Sequence, residues 1–229
     1  HLEVAFDWSL QPVHDVIAVL PGAELPDEWI VRGNHHDAWV NGASDPVSGM
    51  VSLLAEAKAV GALAKDGFRP RRTLVYAAWD GEEAGLLGST EWAEKHAAEL
   101  GEKAVAYLNT DSVSRGLLGA GGSQSLERLF NEVGRAVVDP ERGVSVLDRA
   151  RAAAIAKGDE KTRARLRSRA DLQLEALGSG SDFTPFLQHL GIAALNVGFG
   201  GEEQYGQYHS IYDSIAHFER FGDPGFDYV

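Results

Sequence analysis

The chain has 229 residues, with 21 Lys and Arg against 34 Asp and Glu, a formal charge of −13, and no cysteine. That length suits one large α/β domain or two small ones, and the acidic balance argues against a nucleic-acid binder, whose phosphate contacts need a basic face. Without cysteine there is no disulfide framework, no thiolate zinc site and no cysteine nucleophile, and the redox compartment stays open.

Short apolar runs alternate with longer helical periods along the chain. Val13–Leu20 is a β-rich run closed by Pro21-Gly22, and Trp29–Val31 is a second. A helix is expected from about Pro46 to Ala64, then a strand at Arg72–Trp79, a helix from about Ala84 to Leu100 and a strand at Val105–Leu108. Ser125–Val138 reads as a third helix, Asp182–His189 as a short one and Ile192–Val197 as a last strand. Strands alternating with helices of this length imply an α/β fold, a doubly wound and mostly parallel sheet flanked by helices in three layers. The glycine-rich patches 119–122, 178–180 and 198–201 are expected to interrupt elements without separating domains. Residues 1–229 are therefore expected to form one domain.

Charge is uneven. The segment 148–169 holds eight basic residues (Arg149, Arg151, Lys157, Lys161, Arg163, Arg165, Arg167, Arg169) against three acids, so the remainder is more acidic still. Its Ala, Leu and Arg content reads as a solvated helix or helical hairpin. A nucleic-acid arm is disfavoured because no aromatic residue lies within it to stack on bases. No stretch is expected to reach the roughly 18 apolar residues that a bilayer requires. The chain starts at His1 without a charged-then-apolar leader, which suggests a removed leader or a piece of something longer.

In open α/β sheets, ligands bind beyond the carboxyl ends of the strands. The residues there are His35-His36-Asp37 after the second strand, Asp80-Gly81-Glu82-Glu83 after the third and Asp111 after the fourth, with His209 in the loop after the last. Carboxylates and imidazoles at one sheet edge describe a metal site without sulfur ligands. Other chemistries lack their motifs: there is no G-x-S-x-G elbow, no P-loop, no G-x-G-x-x-G and no H-E-x-x-H.

The strings GNHHDAWVNGASDPVSG (33–49), AAWDGEEAGLLGSTEWAE (77–94), YLNTDS (107–112), LGSGSDFTPFLQHLGI (177–192) and YHSIYDS (208–214) occur in this order. Together they resemble the catalytic domain of glutamate carboxypeptidase II and its transferrin-receptor-like relatives, within the di-zinc exopeptidases. The resemblance implies two Zn2+ ions bridged by Asp45, with His35 and Asp111 completing one and Glu83 and His209 the other. It implies a bridging hydroxide whose parent water has a lowered pKa, with Glu82 as general base passing the proton to the leaving amine. Tyr208 matches the residue that hydrogen-bonds the tetrahedral oxyanion, and Asp37 the carboxylate that orients a ligating imidazole. His36 offers a competing match to His35, and the Asp45-Pro46 peptide is expected to be cis.

Each residue taken singly has an ordinary reading. Glu82-Glu83 is by itself a solvated helix start favoured by the macrodipole, and Asp45-Pro46 a turn before a helix. Glu91 and Glu94 match positions that hold calcium in the glutamate carboxypeptidase branch, or form a solvated helix face. That branch selects glutamate with arginines where this chain reads Ala194-Leu195-Asn196-Val197-Gly198-Phe199, and Glu202-Glu203 would repel an acidic substrate. The expected activity is a zinc exopeptidase acting on peptides, of aminopeptidase or carboxypeptidase type, without glutamate selectivity. A non-catalytic receptor-like scaffold and an amidohydrolase for a non-peptide amide are the alternatives. The resemblance further implies an apical protease-associated domain and a C-terminal helical dimerisation domain outside this chain, hence a homodimer of the full-length protein, and an extracytoplasmic location.

Overall fold

The computed structural model describes residues 1–202 and 206–229. Its framework is a six-stranded sheet of order β1-β3-β2-β4-β6-β5, formed by β1 (Val16–Leu20), β2 (Leu25–His35), β3 (Arg72–Trp79), β4 (Ala104–Asn109), β5 (Gly116–Gly122) and β6 (Ala194–Gly201). The central four strands run parallel, while β1 on β3 and β5 on β6 are antiparallel edges. The expected mostly parallel, doubly wound sheet is therefore present.

Strand alternation divides the core between two faces. Val31, Val75, Ala77, Trp79 and Tyr107 point to one side, where Ala93 of α2 (Leu87–Lys95), Leu100 of α3 (Ala97–Lys103) and Phe186 cover them. The other side takes Leu108, Leu118, Ala120 and Leu195 against Phe130 of α4 (Glu127–Ala136) and Leu147 of α5 (Val146–Lys157). The helix α1 (Gly49–Lys65) lies on this second side, where Glu56 accepts from the Tyr76 hydroxyl at 3.0 Å and pairs with Arg32 at 3.5 Å. Three layers result. Gly33 is a glycine because a Cβ there would sit 2.2 Å from the Tyr107 hydroxyl and 2.5 Å from Trp79 Nε1.

Several expectations are corrected. The run 119–122 is no interruption but part of the edge strand β5, held by Leu118 and Ala120 in the core rather than by β-propensity. The single helix expected at 84–100 is two, because His96 (φ −104, ψ 14) leaves the helical region between α2 and α3. The basic segment is a hairpin of α5 and α6 (Glu160–Ser168), as one of its readings had it, but Arg149 is not solvated. Only 8% exposed, it pairs with Asp139 (2.8 Å), Glu141 (3.0 Å) and Glu202 (2.8 Å). The span Ala43–Lys65, 23 residues whose most apolar 18-residue window has a mean hydropathy of 1.4, is long and apolar enough to cross a membrane by length and composition, contrary to expectation. Runs of Val, Leu and Ala outweigh its scattered polar groups. Its inward side packs Leu53 on the sheet, and Val51, Leu54 and Leu63 are exposed.

Phe186 is fully buried, stacked on Tyr107 with centroids 4.0 Å apart, and also touches Trp79 and Trp92. Phe186→Ala is expected to cost about 3–5 kcal/mol in stability, read from chemical denaturation midpoints.

Candidate metal centre

The four parallel strands all end at one edge, and the chain reverses direction between β2 and β4, since β3 lies on one side of β2 and β4 on the other. That switch point is where α/β sheets bind ligands. His35 closes β2, and Asp111 follows β4 two residues on. The turn after β3 carries Glu82 and Glu83 between Gly81 and Gly85, both at positive φ (71° and 124°). Asp45 sits in the turn 43–48 ahead of α1, and its peptide to Pro46 is cis, as expected. His209 has φ 55, a left-handed conformation that costs a non-glycine residue on the order of 1–2 kcal/mol.

These residues line one cleft of about 810 Å³. The Asp45 carboxylate is central: Oδ1 lies 3.2 Å from His35 Nε2, and Oδ2 lies 3.2 Å from His209 Nε2. The same His35 nitrogen is 3.9 Å from Asp111 Oδ1, and His209 Nε2 is 3.2 Å from Glu83 Oε2. One carboxylate thus separates two groups, His35 with Asp111 and His209 with Glu83. Donor atoms of Asp45, Glu83 and His209 fall within 4.8 Å of one another, and Glu83 Oε1 is buried without a hydrogen-bond partner. Nitrogen and oxygen donors at this spacing, with an orphaned carboxylate oxygen, fit a divalent ion of zinc type.

The supporting residues are equally placed. Asp37 accepts backbone N–H groups from Glu82 (3.0 Å) and Glu83 (3.1 Å) and lies 3.4 Å from His35 Nδ1. Tyr208 stacks on the His209 ring at 3.7 Å and lines the cleft. His36 instead points to the exposed His14 carbonyl at 3.0 Å, so of the two neighbouring histidines it is His35 that faces the cleft. Glu91 and Glu94 are exposed on α2, away from the cleft lining.

The sequence reading gave no role to Asp213, Asn109 and Ser181, although all three lie in its motif strings. Asp213 accepts from the Ser44 N–H (2.8 Å) and the Asp45 N–H (3.1 Å), fixing the turn that carries Asp45. Asp111 Oδ1 accepts from Ser181 (2.7 Å) and Asn109 (3.0 Å). Asn109 in turn accepts from Tyr107 (2.8 Å), which accepts from Trp79 Nε1 (3.0 Å). A hydrogen-bonded line therefore joins the core to the site.

The clustered acids shift one another. Burial raises Glu82 to about 7, with the charges of Asp111, Glu83 and Asp45 adding to it against the pull of His35. Burial likewise raises Glu83 and Asp111. Burial opposes the charge on His35, but Asp37 and Asp45, then Asp111 and Glu82, outweigh it and raise the imidazole to about 11. Asp37 goes the other way: burial would raise it, but His35 and the two backbone N–H groups hold it low.

Residues 15–221 match the model of peptidase family M28. The chain belongs to this family. It is 36% identical over 223 residues to the Zea mays protein named "Probable glutamate carboxypeptidase VP8", covering 96% of this chain and 29% of that protein. Against the Mus musculus protein named aminopeptidase NAALADL1 the identity is 34% over 234 residues, covering 95% and 30%. This M28 chain thus spans less than a third of the length of these relatives. It also shares the fold of BSAP, a zinc aminopeptidase from Bacillus subtilis, with a TM-score of 0.57 and 19% identity over 89% of this chain and 44% of that one.

Two measurements probe the M28 site. A proton on His35 competes with any ion until pH nears about 11, so apparent zinc affinity should rise about tenfold per pH unit for each proton displaced. Chelator competition at pH 6, 7 and 8 reads this, and a flat profile would count against His35 as a ligand. Asp213→Ala should weaken zinc binding about 10–100-fold by freeing the Asp45 turn; unchanged affinity would remove Asp213 from the supporting set.

Proposed function

We propose that the chain is the catalytic domain of a zinc-dependent exopeptidase that binds two Zn2+ ions and cleaves a terminal residue from neutral peptides. The observation that carries this reading is the Asp45 carboxylate, whose two oxygens face His35 and His209 at 3.2 Å each. His35, Asp45 and Asp111 would hold one ion and His209, Asp45 and Glu83 the other. Zinc there would supply Lewis acidity and lower the pKa of water.

The remaining chemistry falls to the chain itself. Glu82, raised to about 7, is poised to take a proton from the attacking water and return it to the leaving amine. The Tyr208 hydroxyl, held in its neutral form by a pKa raised to about 12, can donate a hydrogen bond to the developing oxyanion. Asp37 holds the Glu82–Glu83 turn and the far side of His35 together, so base and ligand keep one geometry.

Substrate polarity follows from charge. Among the described residues lining the cleft there is no Lys or Arg, whereas Asp45, Glu82, Glu83 and Asp111 are all present. A glutamate side chain would find no cation there, and a free amino terminus meets favourable charge. Of the two acids expected to repel it, Glu202 is paired with Arg149 and Glu203 lies outside the described residues. The non-catalytic scaffold and non-peptide amide readings have no observation in their favour. Calcium at Glu91 and Glu94, an extracytoplasmic location and a homodimer of the longer protein are the parts of this proposal that rest on family resemblance.

Glu82→Gln should retain zinc in metal analysis while lowering kcat by about 10²–10⁴-fold; retained activity would remove Glu82 as the base, and no zinc in the intact chain would end the reading. An aminoacyl-nitroanilide should be cleaved with higher kcat/KM than N-acetyl-aspartyl-glutamate. A clear preference for the latter would overturn the substrate class.

A further inference from the structure

The basic hairpin of α5 and α6 stands out in a chain of net charge −13. On α6 the side chains of Lys161, Arg163, Arg165 and Arg167 are exposed, and among the described residues none of them pairs with a carboxylate. Neighbouring groups are satisfied: Arg135 pairs with Asp171, Arg169 with Glu127, and Arg151 donates to the Leu166 carbonyl at 2.8 Å. Asp159 caps the helix by accepting from the Thr162 N–H at 2.8 Å. The macrodipole favours Arg165 and Arg167 in the last turn but opposes Lys161 and Arg163 nearer the start. Lys161 and Arg165, like Arg163 and Arg167, are also like-charged i,i+4 neighbours, each pair costing the helix about 0.2–0.5 kcal/mol. The stability of α6 itself does not account for this ladder.

A second feature adjoins it. A hollow of about 180 Å³ is lined by Leu118, Phe130, Leu166 and Leu172, with Arg165 and Glu175 as its charged members. It falls below the roughly 300–1,000 Å³ of sites that enclose a whole small ligand, and suits one apolar side chain. Unpaired guanidinium groups beside an apolar hollow ask for a ligand that carries both negative charge and an apolar group. Residues i and i+4 of a helix lie roughly 6 Å apart along its axis, and alternate side chains of an extended strand about 6.6–6.8 Å apart. An extended acidic segment laid along α6 therefore meets successive cations with successive carboxylates from one side, and the arginine fork accepts a carboxylate in bidentate fashion. Nucleic acid fits less well, since 148–169 holds no aromatic residue for stacking. A lipid surface also fits less well: interfacial helices bury an apolar face in it, whereas Leu166 of α6 is turned into the protein, 2% exposed.

We propose that the exposed face of α6 and the adjoining hollow form a docking site for an extended acidic segment of another protein, with carboxylates at alternate positions and one bulky aliphatic residue on the same side. The carboxylates pair along Lys161, Arg163, Arg165 and Arg167, and the aliphatic residue enters the hollow beside Arg165. Glu175 repels an acid from the hollow and so reserves it for the apolar residue. Neither zinc nor peptide cleavage is involved, so this site stands whether or not the exopeptidase reading does.

The test is fluorescence anisotropy with labelled, end-blocked peptides Glu-Ser-Glu-Ser-Leu and its reverse, Leu-Ser-Glu-Ser-Glu, on the intact chain. The tighter of the two should lose at least fivefold in affinity when Leu is replaced by Ser, and at least tenfold when both Glu are replaced by Gln. Arg163→Glu with Arg167→Glu should weaken it at least tenfold. Lys58→Glu with Arg71→Glu, which changes net charge equally at exposed cations on other parts of the chain, should leave it within about twofold. All four positions are exposed, and circular dichroism melting checks that both variants fold. Unmeasurable binding, indifference to the Leu replacement, or equal weakening by the two double variants would overturn the proposal. So would tighter binding of a DNA duplex or of phosphatidylserine vesicles than of the peptide, abolished by the same α6 substitutions, since the ladder would then serve phosphates.

Discussion

Like charges crowded at one sheet edge are the constraint on which this structure turns. Asp45, Glu82, Glu83 and Asp111 share a single cleft, with Asp45 only 7% exposed. Carboxylates that close repel one another and resist burial, so the fold must supply compensating positive charge or protons. The imidazole of His35 supplies part, held charged by its acidic surroundings, and Glu82 supplies another part by holding its proton up to about pH 7. Divalent ions would relieve the same repulsion more fully, and the donor spacing around Asp45 fits them. The acidity noticed first as a bulk property of the chain is thus partly a local one.

The parallel sheet makes this crowding geometrically feasible. Because β2, β3, β4 and β6 run the same way, the loops carrying His35, Glu82, Asp111 and His209 emerge on one side although they are spread over more than 170 residues. The core holds these loops from beneath, through the line from Trp79 to Tyr107 to Asn109 to Asp111. The antiparallel edge strand β5 widens the same rim into a larger cleft.

Much of this was legible in the sequence. The alternation of strands and helices read correctly because apolar runs such as Arg72–Trp79 are contiguous and bounded by turn residues. His35, Glu82, Glu83 and Asp111 could be singled out because they follow strand ends, while Asp45 and His209 could be named only because their motif strings resemble the family's. What was illegible depends on contacts between distant positions. Asp213 acts on a backbone 168 residues away, and Ser181 on one partner 70 residues away. Arg149 looked like one more solvated cation in a basic helix, since its partners Asp139 and Glu202 belong to other elements. The strand β5 was hidden by composition: a run of four glycines in seven residues carries no β-signal until β6 lies beside it.

Asp37 has a consequence for transplanting such a centre. Its carboxylate simultaneously receives the backbone of the Glu82–Glu83 turn after β3 and abuts His35 at the end of β2, two residues before it. A scaffold engineered with the metal-facing residues alone would leave two loops without their common fastener, and base and imidazole would drift independently. The minimal portable unit therefore includes Asp37, and by the same logic Asp213 beneath Asp45. These two acids make the difference between a set of side chains and a site.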